Sequence, residues 1–183
     1  MTTPNTDTIY VNQNVYLTAP NTIYATAVYS VIDANRDNFS QFLAWPKRVK
    51  NRSDTEKFLS DSLITHQQDI SKTYIILFED KPVGIIAFNQ IDKANKTAYI
   101  GYWLDNQAQG KGIITQSTLA LTEYYAVNKM IKRFVIKCSV ANDKSNRVAK
   151  RCGFEHEGVL KQAEYLNGTF YDQNLYALIS SYL

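Results

Sequence analysis

Two glycines, Gly110 and Gly112, flank Lys111 in the stretch DNQAQGKGII (105–114), after an aromatic-rich run and before a helical pattern. Small residues at such a step let backbone N–H groups approach an anion, and the positive end of the following helix adds to the attraction. The loop is therefore a candidate anion cradle to which Lys111 can add charge. A triphosphate-binding loop needs Gly-x-x-x-x-Gly-Lys-Ser/Thr; Asp105 stands in place of its first glycine and Gly112 in place of its hydroxyl residue. A dinucleotide loop needs Gly-x-Gly-x-x-Gly, and Thr115 occupies the third glycine position. What remains is Gln107-x-x-Gly110-x-Gly112, a pattern that a plain glycine turn also satisfies.

Other reactive residue types narrow the chemistry. Cys138 and Cys152 suggest neither a disulfide framework nor a Cys-x-x-Cys metal site, and His66 and His156 stand far apart, so no metal is expected. A thiolate can act as a covalent nucleophile, but neither cysteine has a histidine partner in sequence, and free cysteine is commonly just buried. Glu123, Glu155 and Glu157 read as surface carboxylates. The 13 tyrosines invite a base-stacking reading. Tyr99, Tyr102, Tyr124, Tyr125, Tyr165, Tyr171 and Tyr176, however, mostly fall inside strand or helix patterns, where tyrosine is core-edge material. The net charge of +3 is mild, and the densest basic cluster, KRVKNR (47–52), reads as a solvated loop, so nucleic acid is not an expected partner.

The chain that must position these groups has 183 residues, 45% hydrophobic and 20% charged, the profile of one ordinary globular domain. No apolar run reaches the roughly 18 residues a bilayer span needs. The start MTTPNTDTIYVNQ lacks the features of a secretory signal, so a cytoplasmic location is expected.

Alternation in TIYVNQNVYLTAP (8–20) predicts a first strand or extended arm. Residues 33–50 carry Phe39, Phe42, Leu43 and Trp45 at helical spacing up to Pro46. Ser53 and Glu56 form a capping-box pattern for a second helix with Phe58, Leu59, Leu63 and Ile70 on its apolar face. TYIILFE (73–79) and VGIIAFNQI (83–91) read as a hairpin turning at DKP, and TAYIGYWL (97–104) as a third strand. A helix over 113–130 follows the loop, with Ile114, Leu119, Leu121 and Tyr125 apolar; then come a strand over 133–140 and a short helix over 142–154 stopped by Gly153. A last hairpin turns at Asn167-Gly168. The order predicts an α/β domain with a mixed sheet.

Three stretches together resemble the GCN5-related N-acetyltransferase (GNAT) family. The loop matches its Gln/Arg-x-x-Gly-x-Gly/Ala pattern. IGYWLDNQAQGKGI and ANDKSNRVAKRCGF resemble the branch that modifies ribosomal-protein N-termini, as does the C-terminal KQAEYLNGTFYDQNLYA. The resemblance is strong from about residue 83 onward and thin before residue 73. It implies a GNAT fold over residues 1–183, with a mostly antiparallel, splayed sheet flanked by about four helices. It also implies acetyl-CoA as co-substrate and direct transfer to an amine.

By the same resemblance, the backbone amides of Gln109, Gly110, Lys111, Gly112 and Ile113 would bind pyrophosphate, with Gln107 shaping the loop. Tyr102, Trp103 and Leu104 would pair with the pantetheine arm and Asn142 would hydrogen-bond to it. Glu164 would be the general base and Ser145 the proton donor to the departing thiolate. Each has an ordinary alternative: a glutamate before a hairpin turn is usually a solvated strand residue, and a serine near a helix start commonly stabilises that start. Tyr165 and Tyr171 would line an acceptor trough. The implied acceptor is the N-terminal serine amine of a ribosomal protein, and relatives imply a homodimer. A small-amine acetyltransferase (polyamine, amino sugar or antibiotic) and a non-catalytic acyl-CoA sensor are the alternatives.

Overall fold

A computed structural model describes residues 8–128 and 130–182; the expectation placed on the first residues of the chain falls partly outside that range. The strands are β1 (Thr8–Tyr10), β2 (Val15–Thr18), β3 (Lys72–Phe78), β4 (Lys81–Asp92), β5 (Thr97–Leu104), β6 (Arg133–Ser139), β7 (Glu155–Leu166) and β8 (Thr169–Ile179). The helices are α1 (Ala25–Ala34), the single turn α2 (Arg36–Phe39), α3 (Arg52–Gln67), α4 (Ile113–Val127) and α5 (Asp143–Arg151). The strands form one sheet in the order β1-β2-β3-β4-β5-β6-β8-β7, in which β5 and β6 pair parallel and every other pair is antiparallel.

The sheet is covered on both faces, which is why its central strands read as continuous apolar runs. On one face Leu121 and Tyr125 of α4 and Ala149 of α5 pack with Ile76, Phe88, Ile100 and Phe134. On the other, Ala25, Val28 and Ile32 of α1 and Leu59 of α3 pack on Ile75 and Leu77. The β3–β4 and β7–β8 hairpins each turn on two residues with positive φ, Glu79 (50°) and Asp80 (63°), and Asn167 (52°) and Gly168 (83°), the geometry that suits the natural twist of paired strands.

The first third of the chain departs from expectation. The segment read as one strand over 8–20 is a hairpin of two short strands. A helix runs over 25–34, where none was expected, and the segment read as a helix over 33–50 keeps only the turn 36–39. Its aromatics are spaced for a cluster rather than a stripe: Phe39, Trp45 and Trp103 lie with ring centroids 5.3–6.4 Å apart. α3 is capped by Asn51 with Asp54 as the reciprocal partner, two residues earlier than the Ser53/Glu56 pattern. Phe58 and Ile70 are exposed; α3 buries Thr55, Leu59, Ser62 and His66. Leu119 of α4 is likewise exposed. The β3–β4 turn is Glu79-Asp80, one residue ahead of DKP, whose Lys81 and Pro82 already belong to β4.

One feature of the sheet positions everything that follows. β5 and β6 pair from Thr97↔Arg133 to Ile100↔Ile136 and then part. Beyond that point β5 stays bonded to β4 as far as Leu104↔Gly84, and β6 stays bonded to β8 as far as Ser139↔Gln173. The sheet is split at one end, leaving backbone amides of Tyr102–Leu104 without a strand partner on the open side.

Candidate active site at the split in the sheet

The glycine loop crosses the end of β5 and runs into α4. Gly110 (φ 79°) and Gly112 (φ 73°) are both left-handed, and Gly112 is the N-cap of α4. A Cβ would meet nothing at Gly110 and only Gln116 Nε2, at 3.3 Å, at Gly112. Backbone conformation, not crowding, therefore requires glycine here. The loop is pinned from α1, whose C-cap Asn35 donates to Asp105 Oδ1 (3.0 Å) and accepts from Asn106 N–H (3.0 Å). Asp105 accepts from the N–H of Gln107. Gln109 donates to Asn106 Oδ1 (2.9 Å) and receives Lys144 Nζ (2.7 Å), tying the loop to α5.

A cavity of about 660 Å³ opens between this loop, the free edge of β5 and the first turns of α5. Of the residues expected to hold a cofactor, Tyr102, Trp103, Leu104, Gln109, Gly110, Gly112, Ile113 and Asn142 line it. Gln107 and Lys111 do not: Lys111 Nζ lies over the Phe78 ring, 4.7 Å from its centroid. Lys144, Arg147 and Arg151 line the same cavity, a basic stripe at helical spacing on α5 that the reading of the sequence passed over. The spacing itself was the available signal.

Ser145 lies at the inner end of the cavity. The start of α5 is capped by Asn142, whose carboxamide oxygen accepts from Ser145 N–H (3.2 Å). The Ser145 hydroxyl is engaged elsewhere: it shares a 2.9 Å hydrogen bond with the Tyr102 hydroxyl across the split. Burial pushes the Tyr102 phenol well above its ordinary value, while the Ser145 hydrogen bond pulls the other way, so the ring stays protonated. Asn146, also unread in the sequence, accepts from Tyr176 Oη (2.9 Å) and Asn174 Nδ2 (2.6 Å) and donates to the Ser139 carbonyl (3.0 Å). It fixes the β6–α5 turn to β8.

On the far side of Ser145 a second cavity, about 420 Å³, holds Glu164. Tyr102, Asn142 and Ser145 line both cavities. Glu164 reaches the second one because β7 bulges against β8 between Leu160 and Glu164, with Gln162 at φ 48°. Asp172 anchors the bulge by accepting from Gln162 N–H (2.8 Å) and Lys161 Nζ (2.8 Å). Those two partners, Lys161 first, hold the Asp172 carboxyl below its usual range. The tip of the hairpin crosses toward the other half of the sheet: Asn167 donates to the Ser40 carbonyl (2.9 Å) and accepts from Lys47 Nζ (2.6 Å).

Both cysteines are buried, which disfavours the thiolate that covalent chemistry needs. Burial raises the Cys138 thiol, and the Cys152 thiol is pushed up to about 11 by the same cause. Cys138 lines the second cavity near Ser145 and Glu164, both of which bear on its titration. Tyr165 and Tyr171 are exposed on the hairpin and do not line either cavity.

Residues 15–155 match the model of the acetyltransferase (GNAT) domain. The chain is 45% identical over 174 residues to the ribosomal-protein-serine acetyltransferase of Escherichia coli (strain K12), covering 95% of this chain and 97% of that protein. Among solved structures it is similar to the ribosomal L7/L12 alpha-N-protein acetyltransferase RimL in complex with coenzyme A, held there in a disulfide to a cysteine. That match has 41% identity and a TM-score of 0.94, and covers 97% of this chain and all (100%) of that one. It is also similar to the microcin C7 self immunity acetyltransferase MccE in complex with acetyl-CoA and AMP, with 47% identity, a TM-score of 0.93 and 97% of each chain covered.

Proposed function

The chain belongs to the GNAT acetyltransferase family, and on that premise we propose that it transfers acetyl from acetyl-CoA to the N-terminal α-amine of a serine-initiated ribosomal protein. The observation that carries this is the meeting of two cavities at Ser145, one lined by the glycine loop and the basic face of α5, the other holding Glu164. The first cavity fits the donor. Left-handed glycines aim backbone amides outward, Lys144, Arg147 and Arg151 supply charge for phosphates, and the free edge of β5 offers amide partners to an amide-bearing arm.

In this reading acetyl-CoA, when bound, supplies the acetyl group, and the protein does the rest. Glu164 takes the proton that the attacking amine loses; an α-amine of ordinary pKa, about 8, asks only modest basicity of it. The Ser145 hydroxyl, oriented by Tyr102, gives a proton to the departing sulfur. The coenzyme A disulfide in the relative supports this junction as the sulfur's place, with Cys138 the candidate for that contact here. The raised thiols favour direct transfer over an acyl-cysteine route. The protein would work in the cytoplasm, and the exposed edge strand β7, whose Tyr165 packs at a tilt against Phe170 of β8, is the face on which a homodimer would form.

The test is release of free thiol from acetyl-CoA in the presence of a Ser-ending peptide, with the acetyl group located on the peptide's α-amine by mass spectrometry. A second reading is favoured by the 47% identity to the microcin C7 immunity enzyme with its bound AMP: an antibiotic amine carried on an adenylate. Turnover of an aminoacyl-adenylate analogue, with none of the peptide, would select that reading; coenzyme A binding with no turnover of either would sink both.

A further inference from the structure

β4 slips register against β5 at one point: Phe88 pairs with Ile100 and Gln90 with Tyr99, so Asn89 faces no partner residue. A bulge of this kind re-aims a side chain, and bulges gather beside active sites. The Asn89 carboxamide lies across Gly101 of β5. A Cβ at Gly101 would come 2.3 Å from Asn89 Nδ2, 3.2 Å from Cγ and 3.4 Å from Oδ1, its three nearest neighbours. Gly101 is not among the residues of positive φ, so its missing side chain serves to make room for that carboxamide. Both residues line the cavity of about 420 Å³ that holds Glu164. Among the described residues, no hydrogen bond takes up the Asn89 side chain.

We propose that Asn89 is an acceptor-binding residue: its carboxamide hydrogen-bonds the polar groups of the acceptor's terminal residue and presents the amine to Glu164. One oxygen acceptor and two N–H donors match what a terminal serine offers: a hydroxyl, amine hydrogens and the first peptide carbonyl. The inference rests on the acetyltransferase reading and names how that site holds its acceptor.

The experiment is steady-state kinetics on a Ser-ending peptide for the wild type, Asn89→Ala, Gly101→Ala and the double variant, each with a melting curve. Asn89→Ala should raise the peptide KM about 3- to 10-fold, the worth of a hydrogen bond or two. The KM for acetyl-CoA and the Tm should stay put. Gly101→Ala, which displaces the carboxamide, should reproduce that loss. In the Asn89→Ala background it should add nothing, because every atom its Cβ would crowd has gone. An unchanged peptide KM in Asn89→Ala overturns the proposal, and so does an equal rise in both KM values with a fallen Tm. Wild-type turnover of the peptide tests the enzyme reading separately. Should it fail, the variants are compared on the amine the wild type does acetylate, where an unchanged KM again overturns the role of Asn89.

Discussion

Glu164 on β7 and Ser145 on α5 reach the same junction from the β6-β8-β7 half of the split sheet, facing Tyr102 of β5, and each should fail in its own way when changed. Glu164→Gln keeps shape and hydrogen bonding but cannot take a proton. Its kcat should fall about 10²- to 10⁴-fold while coenzyme A binding, read by calorimetry, is preserved. Ser145→Ala should lower kcat at unchanged acceptor KM, and Tyr102→Phe should lower it less, since Tyr102 acts through the serine hydroxyl. Equal losses in Tyr102→Phe and Ser145→Ala would make the phenol, not the serine, the proton source. At this scale the sequence told part of the story. The family resemblance pointed to both residues, but the bond joining Ser145 to a tyrosine 43 positions away depends on strand facing that no local pattern carries. Asn142, read as a cofactor contact, spends its oxygen on the cap of α5. Lys111, read as offering its backbone amide to pyrophosphate with a side chain able to add charge, lays that side chain on Phe78, turned away from the cavity.

Two elements do the positioning, and both can be loosened without touching the chemistry. α5 presents Lys144, Arg147 and Arg151 to the donor cavity. Replacing all three by Gln should raise the KM for acetyl-CoA at least tenfold, flatten its salt dependence and leave the acceptor KM unchanged, which varied-salt kinetics would show. The β7 bulge depends on Asp172. Asp172→Ala should cut kcat severalfold with Glu164 intact, and the folded protein should still bind coenzyme A; an unaltered kcat would mean the bulge holds itself. The later elements were legible because strand 97–104, the glycine loop and the Asn-Gly hairpin each carry strong local signals. The first third was not. α1 sets Thr26, Val28, Val31 and Ile32, β-branched and weak in helix preference, against its three alanines, and its place is set by packing on Ile75 and Leu77, far away in sequence.

For the molecule as a whole, the donor cavity takes its walls from β5, the loop, α4 and α5, so occupancy should tie both halves of the split sheet together. Coenzyme A at about 100 times its Kd should stabilise the fold by about 2.7 kcal/mol, several degrees in Tm by calorimetry. Stability should also titrate at acid pH through Asp69, whose carboxyl is held below its ordinary range, first by the hydrogen bond from Lys72. A depressed carboxyl contributes above its unfolded value, about 3.9, and the contribution is lost as pH falls through the lower folded value. Asp69→Asn, which suits the same left-handed backbone (φ 54°), should be slightly less stable at pH 7. The gap, under about 1 kcal/mol for so exposed a carboxylate, should close as pH falls through the depressed folded value.

The link from Asn167 to Ser40 and Lys47 joins two segments whose neighbours, Phe42 and Leu43 on one side and Glu164 on the other, line the second cavity. A pocket bounded by segments joined in this way works as an eyelet rather than a trough. A free chain end can be threaded through it, whereas the middle of a chain would have to be folded double to enter. Preference for termini over internal lysines would then be a matter of topology before it is one of recognition.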